Sequence, residues 1–285
     1  MRKPHRRGKG RATITADLQP DQQPKRWDDH VVLYEAVFEP LSVAFARQAI
    51  AKLDLAPGDR VLDVAAGAGG AALIMAEAGA AVTAIDGSPA MVERMRARAR
   101  QCQLPLDARL MDGMALDYPD EAFDAALSVF GVILFPDPVK GLSEMHRVVG
   151  HGGHVAVVTW TEPHRYELAT MLREAIQSLG PEPPQSAPLP AQLRFVEPDA
   201  FRRLFAEAGF PEVEIETVEA RMEVPSARWL ADRIHFAPGM AAWMSSLGGR
   251  RETVLDALVR RLEHDQGTGE ISLGAVAAIG TIRIA

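Results

Sequence analysis

The feature that most constrains the fold is a short apolar run that ends in glycines, residues 61–70. Residues 60–64 have the composition of a buried strand, whereas the alanine-rich residues after the glycines are typical of a helix. Between them, Gly67 and Gly69 let a ligand approach the backbone closely, because glycine has no side chain to block it. The free amides at the start of a helix attract anions. The run therefore predicts a strand, a tight loop and a helix that bind a nucleotide-like cofactor.

The alternation of strand and helix patterns continues along the chain. Further strands are predicted at residues 81–85, 107–111, 123–129 and 154–160, and helices at 88–101 and 139–149. This alternation is typical of a parallel sheet with helices on both faces. Beyond residue 160 the pattern predicts helices at 167–179 and 199–208 and strands at 213–224 and 275–285.

Composition argues against several classes of function. The sequence contains no run of about 18 apolar residues, the length needed to span a bilayer. No apolar segment follows the basic N-terminus as a secretory signal requires, so we expect a cytoplasmic protein. The first eleven residues carry six basic side chains and no acid, so the rest of the chain is more acidic than the net charge of −7. We therefore expect a small-molecule partner rather than nucleic acid. Cys102 is the only cysteine, and no metal site is expected.

The chain divides into a tail and one domain. We predict that residues 1–26 form a disordered basic and polar tail and that residues 27–285 form the domain. Insertions at about 163–198 and 226–264, with a helix near residues 27–34, are predicted to enclose an aromatic or hydrophobic substrate. The apolar residues at 229–247 also fit an ordinary helical core. We expect a monomer or a homodimer.

The glycine loop alone fits two kinds of cofactor site. Gly67-x-Gly69-x-x-Ala72, with Asp86 17 positions after Gly69, satisfies the fingerprint of a dinucleotide-dependent oxidoreductase. Two more acids favour a different cofactor, since Asp63 lies within the first strand and Asp112 follows the third. Each acid taken singly also fits a turn or a helix cap. Three acids on successive strands, taken together, favour a nucleotide-like cofactor other than a dinucleotide.

In the order and spacing of these residues, the segment 59–160 resembles the class I S-adenosylmethionine-dependent methyltransferases, in particular the group that contains the ubiquinone and menaquinone biosynthesis enzymes. The resemblance implies a Rossmann-like, doubly wound α/β fold, a seven-stranded sheet with an antiparallel last strand and helical insertions. It also implies S-adenosyl-L-methionine as cofactor and methyl transfer to oxygen, carbon or nitrogen of a small acceptor. The chain departs from the family at Ala65, where glycine is usual, and at His151, where proline is usual.

The resemblance also implies roles for individual residues. Ala65, Gly67 and Gly69 would cradle the methionine portion, and Asp63 would orient its amino group. Asp86, beside Gly87, would accept hydrogen bonds from both ribose hydroxyls. The remaining implied contacts are Ser88 and Met91 beside the sugar and ring, Asp112, Gly113 and Met114 at the adenine edge, and Ser128 and Phe130 at the sulfonium end.

The sequence does not identify a catalytic base. Methyl transfer from a sulfonium needs one only if the acceptor must lose a proton. His164, after the fifth strand, and His235, in the second insertion, are the tentative candidates, whereas His146, His151 and His154 are expected to be structural. Two alternatives stay open: an NAD-dependent oxidoreductase, and a non-catalytic protein that binds S-adenosylmethionine for regulation or interaction.

Overall fold

A computed structural model describes residues 18–180, 189–210 and 212–285. Part of the predicted tail, residues 1–17, and part of the Pro-rich insertion, residues 181–188, lie outside these ranges. Seven strands form one sheet in the order β3-β2-β1-β4-β5-β7-β6. The strands are β1 (Arg60–Val64), β2 (Ala81–Asp86), β3 (Leu106–Leu110), β4 (Phe123–Val129), β5 (Val149–Trp160), β6 (Glu214–Val224) and β7 (Ile271–Arg283).

The central strand β1 pairs in parallel with neighbours on both sides. Val61 lies opposite Val82 of β2 and Ala125 of β4. The last strand, β7, runs antiparallel to both β5 and β6. β1 is buried along almost its whole length, as expected for a parallel strand covered on both faces. The predicted fold class is confirmed: a doubly wound, Rossmann-like seven-stranded sheet with an antiparallel last strand.

Ten α-helices lie in the described part of the chain. They are α1 (Val31–Leu33), α2 (Glu39–Ile50), α3 (Gly70–Glu77), α4 (Pro89–Cys102), α5 (Pro138–Val148), α6 (Glu167–Ser178), α7 (Pro198–Glu207), α8 (Ala227–Asp232), α9 (Pro238–Ser246) and α10 (Arg251–Gln266). None of these described helices is long and apolar enough to cross a bilayer. The predicted insertions correspond to α6 with the turns around it, and to α8, α9 and α10.

Two strands begin earlier than their hydrophobic patterns predict. β5 starts at Val149 instead of residue 154, because Val149 pairs with Phe123 before the register shifts and regular pairing resumes at His154. β7 starts at Ile271 instead of residue 275, because it pairs with β6 as far as Val224. Glycines and polar residues hide these extensions in the sequence. Pairing with a neighbouring strand overrides that local signal.

One continuous helical stretch, residues 31–50, changes its winding before Pro40. A π-helical turn at Tyr34–Phe38 separates α1 from α2. Proline has no amide hydrogen, and its ring clashes with the carbonyl four residues earlier, here that of Ala36. The wider turn accommodates this irregularity. Tyr34 and Phe38, the two ends of the turn, both line the large cavity of the protein.

The prediction of a disordered tail up to residue 26 is wrong for residues 18–26. This segment belongs to a strap, residues 18–30, that contains the 3₁₀ helices Pro20–Gln22 and Pro24–Asp29. The Asp21 carboxylate accepts a hydrogen bond from the Gly239 amide at 2.7 Å. The Asp28 carboxylate accepts hydrogen bonds from the Ser88 hydroxyl at 2.5 Å and the Ala90 amide at 3.1 Å. Such long-range bonds order a segment whose composition resembles a loop.

Arg98 on α4 ties three elements together. Its Nη1 lies 2.7 and 2.8 Å from the two carboxylate oxygens of Glu39 on α2, and it donates to the Ala68 carbonyl at 2.9 Å. Glu39 is only 6% exposed. Burial raises the pKa of Glu39, and the Arg98 guanidinium opposes that rise. A buried carboxylate requires such a partner, so the ion pair holds α2 against the glycine loop.

We expect Arg98→Met to lower the free energy of unfolding by about 3 kcal/mol, because Glu39 is then buried without its partner. Urea denaturation at neutral pH measures the change. Arg100→Met, on the same helix, is the matched control, since Arg100 and Glu93 are each 67% exposed and 3.5 Å apart. Its cost should stay below about 0.5 kcal/mol. Similar costs for the two variants would contradict the structural role of the buried pair.

Candidate active site

A cavity of about 680 Å³ opens at the carboxyl edge of the parallel strands. Its walls include Gly67 after β1 and Phe130 after β4, so it lies where the strand order reverses between these two strands. Open α/β sheets bind ligands at such switch points, because the loops from the two strands leave in opposite directions. The position of the cavity therefore matches the predicted cofactor site.

Asp86 connects the glycine loop to the end of β2. Its carboxylate accepts hydrogen bonds from the Gly67 amide at 2.9 Å and the Ser88 amide at 2.8 Å. Burial raises the pKa of Asp86, and these backbone amides oppose the rise. Gly67 has a φ of 58°, and a Cβ there would lie 3.1 Å from the Tyr34 hydroxyl oxygen, so a side chain at 67 would be strained and would require Tyr34 to shift. Each Asp86 oxygen keeps a second lone pair that can accept from a ligand.

Asp112 begins a tight turn after β3. Its carboxylate accepts a hydrogen bond from the Met114 amide at 2.8 Å. A Cβ on Gly113 would lie 2.5 Å from the Phe135 ring, so the turn packs closely on the wall of the cavity. Eight of the twelve predicted cofactor residues line the cavity: Ala65, Gly67, Asp86, Gly87, Met91, Asp112, Gly113 and Met114.

Three other predicted contacts support the backbone and do not line the cavity. The Ser88 hydroxyl accepts from the Met91 amide at 3.2 Å, as the N-cap of α4. The Ser128 hydroxyl donates to the Val64 carbonyl at 2.9 Å and accepts from the Val132 amide at 3.0 Å. Gly69 is the N-cap residue before α3 and has a φ of 90°. Both serines are completely buried, so the structure does not bring them to a ligand.

Asp63 is a buried carboxylate directly behind the glycine loop. It is 1% exposed, and its Oδ2 has no hydrogen-bond partner among the described residues. With Tyr34, Glu39 and Ser42 it lines a separate cavity of about 20 Å³. Burial, and next the negative charge of Asp86, raise the pKa of Asp63 to about 7. The Ala72 amide opposes this rise, but one carboxylate oxygen stays without a partner, which fits the predicted role of receiving an ammonium group.

Ala65 fits the loop at a position where glycine is usual because a second glycine makes room for it. Its φ of 57° lies in the left-handed region, which is unfavourable for alanine. A Cβ on Gly131 would lie 2.4 Å from the Ala65 Cβ and 3.0 Å from the Ser128 hydroxyl oxygen. The departure from the family pattern at Ala65 is therefore compatible with the loop only while residue 131 has no side chain.

Aromatic rings form the opposite end of the cavity. The Phe130 and Trp160 ring centroids lie 4.3 Å apart, and those of Trp160 and Tyr166 lie 4.8 Å apart. Phe38 stacks on Phe236 at 5.7 Å. The rings come from the carboxyl ends of β4 and β5, from both insertions and from the π-helical turn, and all of them line the cavity.

The strap is the part of the site that sequence reasoning missed. Leu18, Asp21, Gln22, Pro24 and Lys25 line the cavity although they belong to the predicted tail. Within the strap, the Trp27 indole donates to the Asp21 carbonyl at 3.0 Å. Trp27, which lies among polar residues, is the one local feature of the sequence that indicates an ordered segment here.

The two tentative bases do not line the cavity. His164 lies in the 3₁₀ turn Pro163–Arg165 and is exposed. His235 is half-buried, and its carbonyl accepts a hydrogen bond from His30 Nδ1 at 2.9 Å. Burial lowers the pKa of His235, and Arg251 and His30 lower it further. Its neighbour Phe236 reaches the cavity instead.

Comparisons with known proteins agree with this geometry. Residues 62–157 match the family model described as a methyltransferase domain. The chain is 30% identical over 240 residues to a demethylmenaquinone methyltransferase of Mycobacterium sp. (strain KMS), covering 82% of this chain and 93% of that protein.

Two further similarities concern a shorter match and the fold. An uncharacterized protein of Mycobacterium tuberculosis is 37% identical over 133 residues, which cover 47% of each chain. The alignment thus spans about half the length of that relative. The crystal structure of the [4+2]-cyclase SpnF has a TM-score of 0.58 and 21% identity, over 96% of this chain and 99% of that chain. At this identity the likeness concerns the fold alone.

The pKa of Asp63 predicts how the affinity for S-adenosylhomocysteine changes with pH. An ammonium group binds the ionised carboxylate, so the affinity should rise about tenfold per unit as the pH increases toward 7. It should level off above about pH 7, where Asp63 is already ionised in the free protein. Calorimetry across this range measures the profile. Asp63→Asn should weaken binding and remove the rise, whereas an unchanged wild-type affinity below pH 7 would contradict the role of Asp63.

The contact between Ala65 and Gly131 predicts a non-additive pair of substitutions. We expect Gly131→Ala to destabilise the protein by about 2 kcal/mol, because the new methyl group meets the Ala65 methyl group and nearby atoms. Ala65→Gly with Gly131→Ala should recover at least half of that loss in urea denaturation. Gly249→Ala is the control, since nothing lies within 4 Å of the position that its new methyl group would take. Additive effects of the two substitutions would argue against the contact.

Proposed function

Because this chain belongs to the class I S-adenosylmethionine-dependent methyltransferases, we propose that it methylates a small aromatic or hydrophobic acceptor. The observation that carries the proposal is the two-ended cavity. One end holds the glycine loop, Asp86 and the turn at Asp112, and the other end is lined by aromatic rings. A donor and an acceptor bound at these ends would meet near Phe130.

In this proposal the carboxylates hold the donor. Asp63 accepts a hydrogen bond from the ammonium group, Asp86 accepts from the ribose hydroxyls, and the backbone at Gly113 and Met114 contacts the adenine edge. The partnerless Oδ2 of Asp63 supports this assignment. When bound, S-adenosylmethionine supplies a methyl group on a positively charged sulfur that is already a good leaving group.

The aromatic end binds the acceptor and excludes water. Trp160, Phe130 and Phe236 are at most 7% exposed, and apolar enclosures of this kind favour ligands with apolar bodies. Tyr166 and Phe236 come from the two insertions, which is the substrate-capping role proposed for them. The name of the Mycobacterium relative, a demethylmenaquinone methyltransferase, supports an apolar ring as acceptor.

The proposed transfer depends on alignment rather than on a side-chain base. Of the described residues at the aromatic end, Tyr34 and Tyr166 are titratable, and burial raises the pKa of each. Both hydroxyls therefore keep their protons near neutral pH. The enclosure instead holds acceptor and donor in line, which can supply most of the rate enhancement of such a displacement.

Of the alternatives, the oxidoreductase loses its support, since a methyltransferase loop also satisfies the dinucleotide fingerprint and the family model and the relative similar over most of the chain are both described as methyltransferases. The non-catalytic alternative differs from the proposal in one outcome. A non-catalytic protein would bind the donor and methylate nothing.

Incubation with trideuteromethyl-labelled S-adenosylmethionine and a panel of phenols, reduced quinones and aromatic amines tests the proposal. We expect mass spectrometry to detect labelled product from at least one apolar ring acceptor. Asp86→Ala should raise the KM for the donor at least about tenfold, because two hydrogen bonds to a charged group are lost.

His164→Ala tests the tentative base in the same assay. We expect its kcat to stay within about twofold of wild type, because His164 is exposed; a drop of about a hundredfold or more would restore it as a base. Donor binding without any product would favour the non-catalytic alternative. Absence of donor binding would refute the proposed function itself.

A further inference from the structure

One buried polar atom in the lining of the large cavity, the side-chain oxygen of Gln192, has no hydrogen-bond partner among the described residues. Five buried side-chain nitrogen or oxygen atoms lack a partner among the described residues, and of these only Gln192 Oε1 belongs to a residue that lines this cavity. Buried polar groups are normally hydrogen-bonded, so each exception calls for an explanation. An apolar residue of the same size would pack there without the cost of an unpaired carboxamide.

The turn that carries Gln192 is fixed on its N-terminal side by the strap. Gln192 is the middle residue of the 3₁₀ helix Ala191–Leu193. The Gln19 carboxamide accepts a hydrogen bond from the Ala191 amide at 2.8 Å and donates to the Leu189 carbonyl at 2.9 Å. Ala191 itself is 1% exposed. The backbone of the turn therefore has little freedom to move.

The C-terminal side of the turn is attached to the ends of β4 and β5. The Arg194 guanidinium donates to the Phe135 carbonyl at 2.8 Å and also to the Ile133 carbonyl. The Thr161 hydroxyl, just after β5, donates to the Val196 carbonyl at 2.9 Å. These contacts attach the turn to the segments that follow Phe130 and Trp160, two rings of the aromatic end, and hold Gln192 on a rigid support in the lining. A ligand-binding group held in this way is pre-organised.

Building on the proposed methyl transfer, we infer that Gln192 recognises the acceptor through a hydrogen bond to an uncharged oxygen function, a hydroxyl or a carbonyl. A carboxamide offers both a donor and an acceptor, so it can match either group. The rings around it then hold the apolar body of the acceptor. Gln192 is thus the residue that selects an oxygen-bearing ring over a plain hydrocarbon.

The charges around the cavity favour an uncharged acceptor. The charged residues of the lining are Asp86 and Asp112 at the cofactor end and Asp21 and Lys25 on the strap. None of these belongs to the aromatic end. Lys25 is the one basic residue in the described lining, so an ionised acceptor would lose its hydration with little opposite charge to compensate, which is unfavourable. A neutral polar group loses less hydration and is compensated by the carboxamide.

The test uses the full chain saturated with S-adenosylhomocysteine and three probes of one shape: 2-naphthol, naphthalene and 2-naphthoate. Equilibrium dialysis gives the Kd of each probe for the wild type and for Gln192→Met. Methionine keeps the length and unbranched shape of glutamine but cannot replace its hydrogen bonds. Gln177→Met is the matched control, because Gln177 is exposed on α6. Gln192→Ser serves as a second variant if Gln192→Met does not fold.

We expect the wild type to bind 2-naphthol more tightly than the other two probes. Gln192→Met should weaken 2-naphthol by about tenfold and leave naphthalene and S-adenosylhomocysteine unchanged, whereas Gln177→Met should change none of them. Equal weakening of 2-naphthol and naphthalene would mean that Gln192 only packs, and a preference for 2-naphthoate would mean that charge is selected. Either result overturns the inference.

Two further outcomes separate this inference from the proposed function. A wild-type protein that binds S-adenosylhomocysteine but none of the probes would overturn the inference about the acceptor and leave the cofactor site intact. A wild-type protein that does not bind S-adenosylhomocysteine would overturn the proposed function together with it.

Discussion

The reversal of strand order between β1 and β4 is the constraint on which the rest of the molecule depends. Two parallel strands that lie side by side but send their chains in opposite directions must leave a crevice at their carboxyl ends. Ser128 fixes this junction, because its hydroxyl contacts the Val64 carbonyl on β1 and the Val132 amide after β4. The glycine loop, Asp86, Asp112 and the aromatic rings all line that crevice, and Asp63 lies directly behind the loop.

The two ends of the cavity differ in the charge of the side chains that surround them. At the glycine loop, Asp63 and Asp86 are buried close enough for the charge of Asp86 to raise the cost of ionising Asp63, and backbone amides offset part of the cost of burial for Asp86. The two carboxylates repel each other when both are ionised, and a bound cation would offset this repulsion. The aromatic end offers rings and one carboxamide, so it suits the uncharged part of a ligand pair. In the proposed function, a cationic donor and an apolar acceptor would therefore bind at opposite ends.

Local patterns were sufficient for much of the fold. The apolar strand residues 61–64 and Asp86 at the next strand end lie in short segments whose periodicity and turns carry the information. The strap and the turn at Gln192 were not predictable in this way, because residues far away in the sequence hold them, such as Gly239 for Asp21. The resemblance assigns Ser88 to the ligand, whereas its cap on α4 and its contact with Asp28 depend on the tertiary structure. His164 illustrates the same limit, since proximity to a strand end does not fix where a side chain points.

The close pair formed by Ala65 and Gly131 restricts the order in which this site can evolve. A methyl group is present at one position, and the other has no space for a second one. Alanine at 65 adds to the cost of any side chain at 131, whereas glycine at 65 would leave only the closer contacts with Ser128 and the residue 65 carbonyl. The order of the two replacements therefore affects stability, because replacing residue 65 first avoids a clash that the reverse order meets.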